Sequence, residues 1–324
     1  MRVLVTGASG FVGSALCPAL VDHGVAVRAV SRKAGPAAMP EGVELFVHPD
    51  LNAATLPGRA FTGVDAVIHL AGLAAVPHRS LAAASERYRE YNVGMTERLA
   101  EAAARAGVDR FIFISSTRVF GRAAPGCTDA TPPAPDEPYG WSKLQAERAL
   151  HALTGRFPIN VVVMRAPPVY GPGVKGRFRQ LLRLVASGVP IPVPSVSGSI
   201  SLVYVHNLTA AIRATLTPGS KIASRRFDSY LVADADSMGL PDIIRALARG
   251  MGKHGMVLPV PAGLVSVALT LIGRKTAAAR LIAGRTIDSS RFREQFEYTP
   301  PWSQHDGLVE TGRWYAERAK LTRH

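Results

Sequence analysis

The amino-acid sequence predicts an α/β fold: a doubly wound parallel sheet with a smaller, mostly helical C-terminal part. Three observations carry this expectation. Residues 2–6 form a β-branched run that passes through Gly7, Gly10 and Gly13 into the helical pattern Phe11, Val12, Ala15, Leu16, Ala19, Leu20. Up to about residue 165, apolar runs of strand length alternate with stretches of helical periodicity. Beyond about residue 174 the alternation loosens, and helical stretches follow one another without strong strands between them.

A second strand is expected at 25–30, ending at Ser31-Arg32-Lys33, and a third at 43–47, closing at His48-Pro49-Asp50-Leu51. Residues 64–70 read as a fourth strand ending in Ala71-Gly72, and an Ala/Glu/Arg-rich helix covers 81–106. The fifth strand is 110–115. After the Pro/Ala/Asp-rich loop 123–138 come a helix at 139–153 and a sixth strand at 159–165. Then follow a helix at 178–186, the proline-broken stretch 189–194, a strand at 201–205, and helices at 240–251, 262–272, 277–283 and 289–296. The division falls near residue 170. Residues 1–170 form the nucleotide-binding part; 171–324 form a smaller part over the carboxyl edge of the sheet, where α/β folds bind ligands, with one possible return of the chain to the sheet.

A chain of 324 residues buries a full α/β core, and 47% hydrophobic with 19% charged residues describes a soluble globular protein. No signal peptide is expected, because the N-terminus enters a strand at once. The most apolar stretch, 257–272, contains two prolines and is short for a membrane span. Two cysteines, Cys17 and Cys127, make no disulfide framework and fit a reducing cytoplasm. The net charge of +14 invites a nucleic-acid reading, yet the cations are scattered and no aromatic platform accompanies them. Anionic small molecules or an anionic membrane surface suit that charge better. No His/Cys/Asp cluster has metal-ligand spacing, so no metal is expected, and His48 and His69 read as structural.

The chemistry begins at the glycine turn. Gly7 permits the tight turn, Gly10 lets the backbone approach a pyrophosphate, and Gly13 lets the helix pack on the strand, so its N-terminal N–H groups face the anion. Tyr139-Gly-Trp-Ser-Lys143 opens a helix, and four-residue spacing sets the tyrosine and lysine on one face. A phenol beside a fixed ammonium, and near the nicotinamide charge, has its pKa lowered towards working pH and can exchange a proton with an alcohol or ketone while hydride moves. At the end of the fifth strand, Ser115-Ser116-Thr117 offers a hydroxyl for the substrate oxygen; the alternative is a turn that satisfies its own backbone.

Together these residues resemble the extended short-chain dehydrogenase/reductase family, also called the NAD-dependent epimerase/dehydratase family. The likeness covers nearly the whole chain. It rests on Thr6-Gly7-x-x-Gly10-x-x-Gly13, Asp50-Leu51, His69-Leu-Ala71-Gly72, Asn92, Ser115-Ser116, Tyr139-x-x-x-Lys143 and Arg165-x-x-x-Val-Tyr-Gly-Pro-Gly173. Within the family it looks most like sugar-nucleotide enzymes of bacterial surface-polysaccharide pathways, the 4-epimerase-like 4-ketoreductases. The resemblance implies a Rossmann fold in which Tyr139 is the general acid/base, Lys143 lowers its pKa and binds the nicotinamide ribose, and Ser116 orients the substrate oxygen. It implies a cofactor site of Gly7, Ser9, Gly10, Phe11, Val12 and Gly13 at the phosphates, with Ser31 and Arg32 at the adenosine ribose. Asp50 and Leu51 would hold the adenine edge. Leu70, Ala71 and Gly72 would pack on ribose and phosphates, and Asn92, Ser115 and Pro167 would complete the site. It also implies a homodimer through the helices at 81–106 and 139–153.

Departures from the family pattern shape the remaining expectations. Strand two ends without the carboxylate that an NAD enzyme uses on the ribose. Ser31-Arg32-Lys33 there suits a 2′-phosphate, so NADP is expected, with NAD as the alternative. A net reductase of a 4-keto nucleotide sugar follows as the leading reading. Behind it stand a 4-epimerase with tightly held NAD, a reductase of a non-nucleotide carbonyl, and a non-catalytic cofactor sensor. Thr117-Arg118 stand where dehydratases carry an Asp-Glu pair, which argues against dehydration. Relatives carry a diphosphate-gripping arginine before the strand at 201–205. Here Arg118, Lys175, Arg177 and Arg179 are the candidates for gripping substrate, and His206-Asn207 replace a common acidic residue.

Overall fold

A computed structural model describes residues 1–32, 41–48, 51, 56–74, 80–121, 126–195, 197–217, 226–263 and 284–321. Its centre is a seven-stranded, wholly parallel sheet in the order β3-β2-β1-β4-β5-β6-β11. Six of its strands are β1 (Arg2–Thr6), β2 (Ala26–Ser31), β3 (Val43–Val47), β4 (Ala66–His69), β5 (Arg110–Ser116) and β6 (Asn160–Ala166). The short strands β7 (Val169–Tyr170), β8 (Ile191–Pro194), β9 (Ser199–Ile200) and β10 (Val203–Tyr204) come next. The seventh sheet strand, β11 (Phe227–Leu231), then precedes β12 (Met238–Gly239) and β13 (Val257–Val260). Strand order reverses direction at β1 and β4, which opens a crevice at their carboxyl ends.

The strands are apolar on both faces because helices cover both. Val3 and Val5 point to one side, with Leu16 and Leu20 of α1 (Phe11–Asp22) and Leu208 and Ile212 of α6 (Val205–Ala214). Leu4, Val67 and Phe111 point to the other, against Leu99 of α3 (Met95–Arg105) and Leu150 of α4 (Pro138–Thr154). A further core gathers α5 (Gly176–Ser187), α7 (Leu240–Gly250) and α9 (Gln304–Leu321) around Tyr170, Tyr204 and Leu247.

Several expectations change. The helix expected over 81–106 is broken into α2 (Leu81–Tyr88) and α3 by a π-helical turn at Arg89–Gly94. Such a turn inserts an extra residue and swings a side chain inward, here Asn92, 1% exposed. The strand expected at 201–205 shortens to Val203–Tyr204, because the chain turns at Val205 into α6. That helix was not expected; the chain does return to the sheet after residue 170, as β11, at residues to which no strand was assigned. β11 is the sheet's edge strand, and Asp228 and Ser229 interrupt its apolar run. The helix α9 was missed as well. Gly307 and Gly312 lower its helix propensity, but they are contacts: a Cβ on Gly307 would lie 2.6 Å from the Tyr170 hydroxyl, and one on Gly312 would overlap the Leu247 carbonyl. The helices expected at 262–272 and 277–283 fall almost wholly outside the described residues. The one expected at 289–296 is the short α8 (Ser290–Gln295). No helix among the described residues is long and apolar enough to cross a membrane.

Candidate active site

The glycine turn packs as its spacing requires. Gly7 has φ +71°, and Gly10 N–H donates to its carbonyl at 2.9 Å. A Cβ on Gly7 would stand 2.7 Å from the Ala71 nitrogen, and one on Gly13 would stand 2.5 Å from Ala8 Cα. The backbone of β1, the start of α1 and the end of β4 therefore meet with no room for a side chain. Gly10 is the N-cap of α1, and no side chain caps the helix, so its first N–H groups remain available to an anion. Ser9, Phe11 and Val12 lie along this turn, with Ser9 exposed. Leu70 and Ala71 are half-buried, and Gly72 is exposed beside Asn92 and Lys143. A Cβ there would lie 3.0 Å from Asn92 Oδ1 and 3.8 Å from Lys143 Nζ. These features fit a dinucleotide laid along the carboxyl edge.

Tyr139 and Lys143 sit in the first two turns of α4, and Ser116 ends β5. Gly140 lets them converge: a Cβ there would overlap the Arg118 carbonyl, so the helix start lies directly on the turn that follows Ser116. The Ser116 hydroxyl lies close enough to the Tyr139 phenol to pull its pKa down, and its Oγ accepts from Arg118 N–H at 3.2 Å. Lys143 Nζ donates to the Ile114 carbonyl at 2.9 Å and lies 4.5 Å from the centre of the Phe113 ring.

The chain alone supplies only part of the expected shift. Burial pushes the Tyr139 phenol up to about 12, although the Ser116 hydrogen bond and the Arg118 charge pull it down. Burial also pushes Lys143 down to about 8, with the Glu147 carboxylate opposing. Desolvation outweighs the local dipoles and charges, so the lowering expected beside the ammonium and the nicotinamide is not reached by these residues without the nicotinamide.

Asn92 reaches this centre from the π turn. Its Nδ2 donates to the Leu73 carbonyl and to Ser142 Oγ, both at 3.0 Å, and its Oδ1 accepts from Leu73 N–H at 2.8 Å. The loop after β4 is thereby tied to α4. Ser115 faces away from Ser116 and donates to Glu147 Oε1 at 2.5 Å. Pro167 is buried beyond the end of β6, and Leu51 is half-buried beyond β3; Asp50 lies outside the described residues. His69 is buried and held by Thr6 Oγ1 at 2.6 Å and Thr96 Oγ1 at 3.0 Å, with burial pushing it down to about 3.

The expected substrate cations divide. Arg118 is held by Glu137, 2.6 Å from Nη1 to Oε1, so a carboxylate does approach the turn after Ser116, from a distant part of the chain. Lys175, Arg177 and Arg179 are exposed at the start of α5. The acid missing from His206-Asn207 is supplied by Asp234, which accepts from Asn207 Nδ2 at 2.7 Å, Tyr204 N–H at 2.9 Å and the Tyr170 hydroxyl at 2.9 Å. Arg165, which opens the motif at 165–173, pairs with Glu147, a partner its spacing does not name. Arg285 was not foreseen: it donates to the carbonyls of Thr117, at 3.1 Å, and Gly121, and carries no local sequence signal, since partner and residue lie on different elements.

A family model described as "NAD dependent epimerase/dehydratase family" matches residues 3–228. The chain belongs to that family. Over 97% of its length it is 35% identical to a UDP-glucose 4-epimerase of Vibrio cholerae, of which it covers 95%. It is 32% identical, over 78% of its length and 70% of the other, to a 3 beta-hydroxysteroid dehydrogenase/Delta 5-->4-isomerase of Mycobacterium tuberculosis. The solved structure of MoeE5 with UDP-glucuronic acid and NAD superposes with a TM-score of 0.77 at 26% identity, covering 98% of this chain and all of that one. The chain is thus an enzyme of an NAD-dependent family with a Rossmann sheet. The expected preference for NADP finds no support in these matches. Arg32 is exposed beyond β2, where a solvated cation is ordinary. The net-reductase reading is likewise less well supported than its epimerase alternative.

Proposed function

We propose that this enzyme is a nucleotide-sugar 4-epimerase that works with tightly held NAD. The observation that carries the reading is the meeting of Ser116 and Tyr139 at the carboxyl edge, where Gly140 lays the start of α4 on the turn after Ser116, in a chain 35% identical over 97% of its length to a UDP-glucose 4-epimerase. When bound, NAD supplies the hydride acceptor and donor and a positive ring that lowers a neighbouring phenol. The glycine turn, Gly72 and Lys143 would hold it.

The remaining steps belong to side chains. Tyr139 takes the proton from the sugar 4-hydroxyl as hydride leaves C4, and gives it back after the keto sugar presents its other face. Ser116 hydrogen-bonds that oxygen throughout. Lys143 holds the nicotinamide ribose, and Asn92 fixes α4 against the loop after β4. Residues 1–170 would carry the cofactor and 171–324 the substrate. Pairing through α2 and α4 would cover Leu81 and Trp141, which are exposed on them.

Purified protein incubated with UDP-glucose or UDP-galactose, with no cofactor added, is expected to interconvert them without accumulating reduced nicotinamide. NAD should appear only after denaturation. A requirement for stoichiometric NADPH would replace this reading with the reductase. The Mycobacterium tuberculosis relative favours a second reading, net oxidation of an alcohol that carries no nucleotide. Stoichiometric NADH from such an alcohol would mark it.

A further inference from the structure

Nine large apolar side chains are exposed among the described residues, and four of them lie together away from the cofactor crevice. Leu184 is in the last turn of α5 and is 44% exposed; Val189 follows the helix at 59%. Met256 and Leu258, at 51% and 54%, stand on the same outward side of β13 and the residue before it. Their proximity is fixed by the backbone. Ile191 N–H donates to the Met256 carbonyl at 3.0 Å, Leu258 is in parallel register with Pro192, and the Lys253 ammonium donates to the Ala186 carbonyl. Pro190, Pro192 and Pro259 are exposed within the same strip.

Cations predominate on the elements that carry the strip. Residues 171–195 and 243–263 contain no Asp or Glu, Arg177, Arg179, Arg183 and Lys253 are exposed there, and the exposed Asp242 at the start of α7 is paired with Arg245. Prolines on β8 and β13 remove the N–H groups that would pair with an added strand. A second copy would set this positive face against itself, in a chain of net charge +14.

We propose that this face seats the enzyme on an anionic phospholipid bilayer. The apolar strip enters the headgroup layer, and the flanking cations engage lipid phosphates. Exposed apolar side chains flanked by Lys and Arg on the same elements are a composition that suits interfacial binding. The inference is independent of the sugar chemistry.

The test is flotation of the full-length protein with vesicles of phosphatidylcholine alone and vesicles containing about one-third phosphatidylglycerol. Binding is expected to the second kind, at least about tenfold weaker to the first, and weakened by added salt. Met256→Ser with Leu258→Ser should weaken it about tenfold, and Arg183→Glu at least about fivefold, with unfolding midpoint and bound NAD unchanged. The proposal is overturned if phosphatidylglycerol gives no gain, or if both well-folded variants bind as the parent does. It is also overturned if the Met256/Leu258 variant converts a dimer into monomers in sedimentation velocity, which assigns the face to a second copy.

Discussion

Glu147 and Arg165 form an ion pair buried on both sides, 2.7 Å from Oε2 to Nη2, with 3% and 9% of their side chains exposed. The same carboxylate accepts from Ser115 Oγ and raises the pKa of Lys143 one helical turn away. Beneath the candidate active site, therefore, one carboxylate holds β5, β6 and α4 together and partly offsets the desolvation of the Lys143 ammonium.

Glu147→Gln leaves the Arg165 guanidinium buried without a counter-charge. It should cost about 3 kcal/mol or more in urea unfolding. It should also lower the pKa of Lys143 below about 8, because the charge that opposes its desolvation is gone. Loss of activity at the alkaline end of the pH profile should then begin at lower pH. An unchanged alkaline limb in a folded variant would separate Glu147 from Lys143.

Asp234 gives stability an acid-side slope. Burial pushes its carboxyl up from 3.8 to about 6, against hydrogen bonds from Asn207, Tyr204 and Tyr170. Between those values the folded chain keeps a proton that the unfolded chain releases, so rising pH favours unfolding. The contribution is complete below 3.8 and lost as pH rises through about 6. Asp234→Asn should flatten this slope in melts across that range. Asp234→Ala should cost about 2 kcal/mol below pH 3.8 by orphaning the Asn207 amide and Tyr204 N–H, and less as pH rises through about 6.

Tyr139→Phe should reduce turnover about a thousandfold while leaving NAD bound. In the NAD-free protein its phenol should titrate near about 12, and oxidised NAD should move that titration down. Ultraviolet difference spectra of wild type against the phenylalanine variant read both.

Arg285 holds the turn that follows Ser116 by two carbonyls, Thr117 and Gly121, from a segment far along the chain. We expect Arg285→Lys, which keeps the charge but not the two-pronged donor, to lower kcat about tenfold with KM and bound NAD little changed. A change confined to KM would place Arg285 on the substrate instead.

Two glycines should respond differently to alanine. Gly13→Ala sets a methyl against the backbone of Gly7 and Ala8, and should cost about 3 kcal/mol together with the bound NAD. Gly24→Ala meets no atom within 4 Å but occupies φ +72°, and should cost only about 1 kcal/mol with NAD retained. Urea titration and nucleotide release distinguish the two.

The strands 2–6, 110–116 and 160–166 and the helix 138–154 were legible because their residues repeat with the period of the element. The π turn at Arg89–Gly94 was not, since its neighbours have helical composition throughout and only the inward pull of Asn92 breaks the register. Helix α9 was hidden by Gly307 and Gly312, which act in three dimensions as close contacts. The edge strand β11 was hidden by Asp228, which faces Arg291 rather than a core.

By itself the sequence determined the nucleotide turn and the Tyr139–Lys143 helix, because glycine sterics and helical spacing act over a few residues. Only the tertiary structure decided that Asp234 replaces an acid absent from its usual place, that Glu147 couples Lys143 to Arg165, and that Tyr139 starts high. Those outcomes depend on which distant groups meet and how much water they exclude. Desolvation and ion pairing are set by that meeting, and one-dimensional spacing carries no record of it.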